Sequence, residues 1–414
     1  MPPCPSVQPN WDILYLGVWL RDHLLFICFP MQYDVIIAGG GMAGLSMLWQ
    51  IRKAGLNHLH ILLIDKAQKN QNDRTWCFWE SGEGPFEHII HRKWDHVRVH
   101  GAIHQFKDFA LNDYRYKMIR GIDFYQFMDD QIDQDIACER VLTTIQHIEA
   151  DDNGCTVQTD HGSFYAKTVF DSTYRLPLNT PGRHHLLQHF LGYIIQTSKP
   201  VFDVRLPDLM HFGIPQHDQC RFIYVLPLAP DKALIEFTVF SENLLSREAY
   251  EEALHGYIQL RVGHVDWTVT ETEFGVIPMS DEPVKEFIHP RHIRIGTSGG
   301  YTNPATGYTF RSTQKRLADL VQAYVKTGSW FAPISPWQKR FGLYASVMLN
   351  VLQHNRVPAP EMFFDLYARN PIDRVFRFLD GESTFMEEVT LMRSMAVKPF
   401  AQAALDVVRK RIGF

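Results

Sequence analysis

One segment constrains this chain more than any other. Residues 33–38 (YDVIIA) are a short apolar run of strand character, and Gly39-Gly40-Gly41-Met42-Ala43-Gly44 follows at once in a G-x-G-x-x-G pattern. Residues 45–53 then read as a helix, and 61–64 as a second strand closed by Asp65. Each part has a physical reason. Gly39 permits a tight turn, Gly41 lets backbone approach a pyrophosphate, and Gly44 lets helix and strand pack closely. Phosphates sit well at the helix start, where unpaired N–H groups and the helix dipole favour an anion. Asp65 is placed to accept a hydrogen bond from a ribose hydroxyl. The unit alone does not separate FAD from NAD. It occurs once, at the opening of the fold, and no second fingerprint marks a separate nicotinamide domain, which points to FAD.

Composition bounds the rest. At 414 residues the chain exceeds one ordinary core, so two or more lobes are expected. Its 45% hydrophobic and 21% charged content is that of a globular protein rather than a disordered one. A formal charge of -5 leaves no basic footprint for nucleic acid. Cys4, Cys28, Cys77, Cys138, Cys155 and Cys220 show no C-x-x-C spacing. That argues against a zinc site or a disulfide framework and fits a reducing, cytoplasmic compartment. His185 and His189 have i, i+4 spacing on a possible helix. Without carboxylate or thiol partners they read as solvated or packed, and no metal is expected. The apolar run over 11–29 is interrupted by Arg21, Asp22 and His23, a poor match to a membrane span or a signal peptide. The preferred reading is that translation starts at Met31, leaving 1–30 as an untranslated extension.

Asp73-Arg74-Thr75-Trp76-Cys77-Phe78-Trp79 is a dense aromatic segment. It reads either as core packing or as a flavin or substrate wall, with Arg74 supplying a cation. Alternation over 94–117 suggests short antiparallel strands, and a helix is expected from near Asp123, a good cap residue. Residues 156–160 and 163–170 suggest a hairpin, with Asp171 closing its second strand. Residues 221–228 and 233–240 suggest another, turning at Ala229-Pro230-Asp231-Lys232. Period-two alternation puts Leu234, Glu236 and Thr238 on one face, and Ile235, Phe237 and Val239 on the other. A buried Glu236 resists ionisation and becomes a proton donor at neutral pH; the alternative is a glutamate at a sheet edge, and spacing leaves both open. After a strand at 293–295, Gly296-Thr297-Ser298-Gly299-Gly300 and Asn303-Pro304-Ala305-Thr306-Gly307-Tyr308 lead into a helix from about Thr309. Gly299, Gly300 and Gly307 are expected to help close over the cofactor.

The expected fold is α/β: a Rossmann-like FAD-binding domain (31–80, 118–182 and 270–330) interleaved with an antiparallel-sheet substrate domain (81–117 and 183–269). A helical C-terminal region spans 331–414. Expected cofactor contacts are Gly39, Gly41, Gly44, Asp65, Arg74, Gly299, Gly300 and Gly307.

Several ordered motifs across about 33–310 resemble the bacterial and plant lycopene cyclases of the flavoprotein beta-cyclase type. YDVIIAGGGMAGLS is similar to that family's opening, and DRTWCFW to its aromatic segment. LGYIIQTSKPVFD resembles its central strand with a terminal Asp, here Asp203. LIEFT at 234–238 looks like its glutamate motif, and FGVIPM at 274–279 and NPATGY at 303–308 look like its later motifs. Three positions depart from the pattern. Phe237 stands where the family usually has a second acid, and His211 where it commonly has Asp. Ser172-Thr173-Tyr174 precede Arg175, where the family has a small residue, Arg and Gly.

The resemblance implies an intramolecular lyase, an isomerase with no net redox change. It converts lycopene through gamma-carotene to beta-carotene by protonating a terminal double bond, closing the ring on the carbocation and losing a ring proton. Glu236 matches the catalytic acid/base. Reduced FAD is the implied cofactor, with NAD(P)H serving only to reduce it and Trp76 and Trp79 as aromatic walls near the cation. A carotene substrate implies peripheral attachment to a membrane surface through an apolar patch or amphipathic helix. The rival readings are an FAD-dependent monooxygenase or isoprenoid reductase on the same fold, and a flavin-binding protein without catalysis.

Overall fold

A computed structural model describes residues 32–102, 104–173 and 180–412. The 1–30 stretch with its expected start at Met31, and Tyr174 and Arg175, lie outside the described residues. The chain opens with β1 (Gln32–Ala38), α1 (Met42–Lys53) and β2 (Ile61–Asp65). Then come β3 (Thr75–Ser81), β4 (Arg92–Trp94), β5 (His96–His100), β6 (Phe106–Ala110) and β7 (Tyr114–Arg120). Next are α2 (Gly121–Asp133), β8 (Cys138–Leu142), β9 (Ile145–Ala150), β10 (Cys155–Thr159) and β11 (Gly162–Asp171). β12 (His185–Thr197), β13 (Asp208–His211), β14 (Cys220–Ala229), β15 (Lys232–Ser241), α3 (Arg247–Val262) and β16 (Trp267–Ser280) follow. The short strands β17 (Phe287–His289) and β18 (His292–Arg294) lead to α4 (Phe310–Thr327). The tail holds α5 (Arg340–Gln353), α6 (Ala359–Ala368), α7 (Ile372–Leu379), α8 (Phe385–Ser394) and α9 (Val397–Ile412).

The first sheet runs β17-β18-β11-β1-β2-β8, with β10 and β9 attached at β11. β1 pairs in parallel with β2 and β11, and β2 with β8. Ile36, Ile37, Leu62 and Leu63 are buried on both faces, as a parallel sheet covered on both sides requires. α1 packs on α4 over this sheet. The expected hairpin forms, with Thr159 opposite Gly162.

The second sheet runs β16-β12-β15-β14-β13-β5-β6. Its central strands are antiparallel, and their alternation sorts residues between two cores. Ile235, Phe237 and Val239 face α3, whereas Leu234, Phe222 and Phe240 face the helical tail, including Phe363. Phe237 belongs to the α3 face, stacked edge-on near Tyr250 at 6.2 Å, so an apolar ring fits where an acid had been expected. A three-stranded sheet, β3-β7-β4, lies between the two larger ones.

Four expectations need correction. His185 and His189 stand on β12 rather than a helix. Four residues along a strand separate them by roughly 13 Å, too far to share an ion. His189 is fully buried between Ser241 and Tyr250. α2 begins at Gly121, so Asp123 lies in its first turn and is not the cap. β12 ends at Thr197, and Asp203 is an exposed residue bonded to Arg205 rather than a strand terminus. The expected lobe boundary at 270 cuts through β16, whose whole length from Trp267 to Ser280 pairs with β12 in the seven-stranded sheet.

Candidate active site

The glycine loop is built as its residue types require. Gly39 has φ +101°, a conformation only glycine adopts cheaply, and its N–H donates to the Ile64 carbonyl at 2.7 Å. A Cβ on Gly44 would lie 1.9 Å from the Gly39 carbonyl oxygen, so α1 packs on the loop only because Gly44 has no side chain. Gly41 caps α1 without a side-chain hydrogen bond, and a Cβ there would meet nothing within 4 Å. The first N–H groups of α1 meet no side-chain cap and border open space at Gly41, an arrangement that suits a phosphate.

Asp65 ends β2 beside the loop; a Cβ on Gly40 would lie 2.7 Å from its carboxylate oxygen. A shallow cleft opens here, lined by Gly40, Asp65, Tyr125 and Arg140 among others. Arg74 is exposed just before β3, with its guanidinium donating to the Asp73 carbonyl. Asp171 is buried at the end of β11. Burial raises its carboxyl, but hydrogen bonds from His292 and Thr173 prevail and hold it below the usual range. Ser172 donates to the carbonyls of Ala38 and Gly39, bracing the loop from behind.

The later glycines divide. Gly299 and Gly300 shape the turn after β18; a Cβ on them would meet the Arg294 carbonyl at 2.5 Å and Val284 at 3.2 Å. Their closeness is to their own lobe's loops. Gly307, with φ +72°, touches the seven-stranded sheet, where a Cβ would lie 2.2 Å from Gln188 Oε1. The glycine that approaches the first loop is Gly296, which abuts Ala43 of α1. Sequence reasoning passed over it because its place in the glycine run does not reveal which face it turns.

Glu236 lies on the β15 face that looks away from α3. Its nearest strand partners are Gly192 on β12 and Tyr224 on β14. Thr238 Oγ1 donates to its Oε1 at 2.8 Å. Burial, then the nearby Glu273, push the carboxyl up to about 8 against that hydrogen bond. The group is therefore protonated at neutral pH and can donate. Around it gather Cys77 of β3, Tyr224 and Tyr308, the last two in mutual hydrogen-bonding reach and Tyr308 also near Tyr116. Burial pushes Tyr308 up to about 12 and lifts Tyr116, Tyr224 and Cys77 further, so the lining is uncharged. One acidic proton thus faces a wall of neutral aromatic rings.

The tyrosines were missed in the sequence because they come from three separate elements. Of the two tryptophans expected as walls, Trp76 faces the glycine-loop core, in edge contact with Phe124 at 5.4 Å. Trp79 is turned the other way into the helical tail, stacked on Phe376 at 4.6 Å with Nε1 donating to Asp380. Strand alternation separates the pair, and Trp79, on the Cys77 face of β3, also packs edge-on against Tyr308 at 4.7 Å. His211 stacks beside His100 at 3.9 Å and against Tyr257 of α3, on the face opposite Glu236.

Comparison with known proteins identifies the family and the fold. The family model described as "Lycopene cyclase protein" matches residues 34–405. A lycopene beta-cyclase of a Paracoccus species is 24% identical over 307 residues, 70% of this chain and 73% of that protein. One from Pseudescherichia vulneris is 22% identical over 399 residues, covering 89% of this chain and 96% of the other. Among solved structures, a flavin-dependent brominase superposes with TM-score 0.59 at 15% identity, over 93% of this chain and all 100% of its own. A geranylgeranyl bacteriochlorophyll reductase-like protein of Thermoplasma acidophilum gives TM-score 0.57 at 14% identity, covering 91% and 99% of the two chains. The fold is thus the mixed α/β architecture of these flavoproteins with a helical C-terminal region, and the chain belongs to the lycopene cyclase family.

Proposed function

We propose that this protein is a lycopene beta-cyclase, closing the linear ends of lycopene through gamma-carotene to beta-carotene without net redox change. The observation that carries this reading is Glu236, a carboxylic acid held protonated at neutral pH on an uncharged aromatic wall. Glu236 gives its proton to the terminal double bond of the substrate. The resulting cation is attacked by an internal double bond, and a ring proton leaves to the ionised Glu236, restoring the acid. Atoms and electrons balance: the product is an isomer. Tyr224, Tyr308 and Tyr116 offer electron-rich ring faces to the cation and exclude the water that would hydrate it.

The bare α1 terminus, the open space at Gly41 and the carboxylate of Asp65 fit the pyrophosphate and ribose of FAD. Gly39 and Gly44 hold the backbone that would receive it, Arg74 would supply a cation from just before β3, and Gly299, Gly300 and Gly307 would shape the later glycine loops, of which Gly296 abuts α1. Bound in its reduced form, FAD supplies negative charge near the developing cation, and NAD(P)H serves only to reduce it. No described helix is long and apolar enough to cross a membrane. A carotene is dissolved in a bilayer, so the reading includes peripheral attachment of a cytoplasmic protein. Exposed Trp337, Phe385 and Met386 support it; the first two rings lie 6.0 Å apart, with Arg340 over Trp337.

Expression in a lycopene-accumulating bacterium tests the reading. The expected result is a change from red to yellow-orange, absent with Glu236→Gln although that variant retains FAD. Red cells expressing folded, FAD-loaded wild-type protein would sink it in favour of a monooxygenase or reductase.

A further inference from the structure

A second acid stands close to Glu236. Gly192 of β12 pairs with Glu236 of β15 on one side and with Glu273 of β16 on the other. Residues directly opposite in antiparallel strands share a face. The two carboxylates therefore stand on one face with only a glycine between them. A Cβ on Gly192 would come within 3.1 Å of Leu234 Cδ1, so that methyl would have to give, and into ordinary contact at 3.5 Å with Glu236 Cβ and Cγ.

The pair is asymmetric. Glu273 is buried, and both its oxygens are bonded to Thr75: Oε1 accepts the Thr75 N–H at 2.9 Å and Oε2 the Thr75 hydroxyl at 2.6 Å. Burial leaves its carboxyl raised above the usual range, though the Thr75 hydrogen bonds and the Arg74 cation pull the other way and favour its charged form; Asp73 adds to the rise. Glu236 has one donor, Thr238, and otherwise faces Cys77, Tyr224 and Tyr308, all neutral. Hydrogen bonds to a charged carboxylate favour that form. Two donors and a cation on Glu273, against one donor on Glu236, put the negative charge on Glu273 and the shared proton on Glu236.

We propose that Glu273 is a positioning residue for Glu236, its ionised carboxylate keeping the transferable proton on Glu236 across the side-chain-free Gly192. The same carboxylate ties Thr75, and with it Cys77, to the substrate sheet. This rests on the cyclase reading for its purpose but not for its test.

The test is an infrared titration of the FAD-loaded protein, following the carboxylic C=O stretch that Glu236→Gln removes. In wild type the band persists through neutral pH. In Glu273→Gln its midpoint falls by about one pH unit or more, a tenfold change in proton affinity, as expected for loss of one charge two strands away. Glu273→Asp, which keeps the charge, restores most of it. A purely structural role would lower stability or rate and leave the midpoint where it was. An unchanged midpoint in folded Glu273→Gln, or no such band in wild type at neutral pH, overturns the proposal. Should Glu273→Gln fail to fold, Thr75→Ala moves the proton toward Glu273, adding a second C=O band and lowering the Glu236 midpoint; no change there equally overturns it. A shifted midpoint in a protein that does not cyclise lycopene would sink the cyclase reading and leave the carboxylate pair standing.

Discussion

Glu236 is where the chemistry concentrates, and its titration gives the account a pH signature. Only the protonated carboxyl donates, so the rate should stay level below about 8 and fall as pH rises through that value. Below about pH 8, where wild type is protonated, Glu236→Gln should cost at least about a hundredfold in rate, the usual scale for a lost general acid, with the gap narrowing at higher pH. Steady-state rates over a pH series measure both; a rate that rises through the same range would contradict the assignment. Alternation in LIEFT singled this residue out in the sequence. It did not say how far the carboxylate was enclosed; it is half-buried, and its surroundings depend on Cys77, Tyr224 and Tyr308, which arrive from other elements. Glu273 stayed hidden for a like reason: its relation to Glu236 runs through Gly192, and strand register is not written in local sequence.

The glycine loop shows what an element-scale motif specifies. Strand, turn, helix and terminal acid all form where the pattern puts them, because each glycine answers a backbone demand that is local. The motif also yields a separable pair of outcomes. Gly44→Ala would drive a Cβ to 1.9 Å from the Gly39 carbonyl, so it should destabilise the fold by several kcal/mol or displace α1. Gly41→Ala meets no protein atom, so thermal stability without flavin should change by less than about 0.5 kcal/mol. It should nonetheless retain FAD about tenfold less tightly, because the methyl group intrudes where the pyrophosphate approaches. Melting curves and flavin titration together check this; equal FAD affinity in Gly41→Ala would remove the loop from cofactor binding. Long-range elements were less legible. β16 lies in the seven-stranded sheet although its sequence neighbours β17 and β18 lie in the other, and the His185–His189 spacing imitates a helix inside β12.

On the scale of the whole molecule, the chain crosses between its two large sheets several times; the Glu273–Thr75 hydrogen bonds tie the seven-stranded sheet to the three-stranded one, and Gly307 brings the loop before α4 against Gln188. The sequence signalled this interleaving by its lack of a clean linker, but not the path of each crossing. The apolar patch at Trp337 and Phe385 is also a whole-molecule feature, assembled from the loop before α5 and the start of α8. Replacing both rings by serine should leave the fold intact and reduce flotation with phospholipid vesicles about tenfold; unaltered flotation would place the membrane contact elsewhere. The central claim is that the ring closes on a proton delivered by Glu236, with no net electron transfer. Turnover of lycopene in D2O with reduced FAD tests it most directly. With Glu236 exchanging its proton with solvent between slow turnovers, the expected result is one deuterium per ring formed in the beta-carotene, no stoichiometric NAD(P)H consumption, and no labelled product from Glu236→Gln. Unlabelled rings, or one NAD(P)H oxidised for each product molecule, would contradict it.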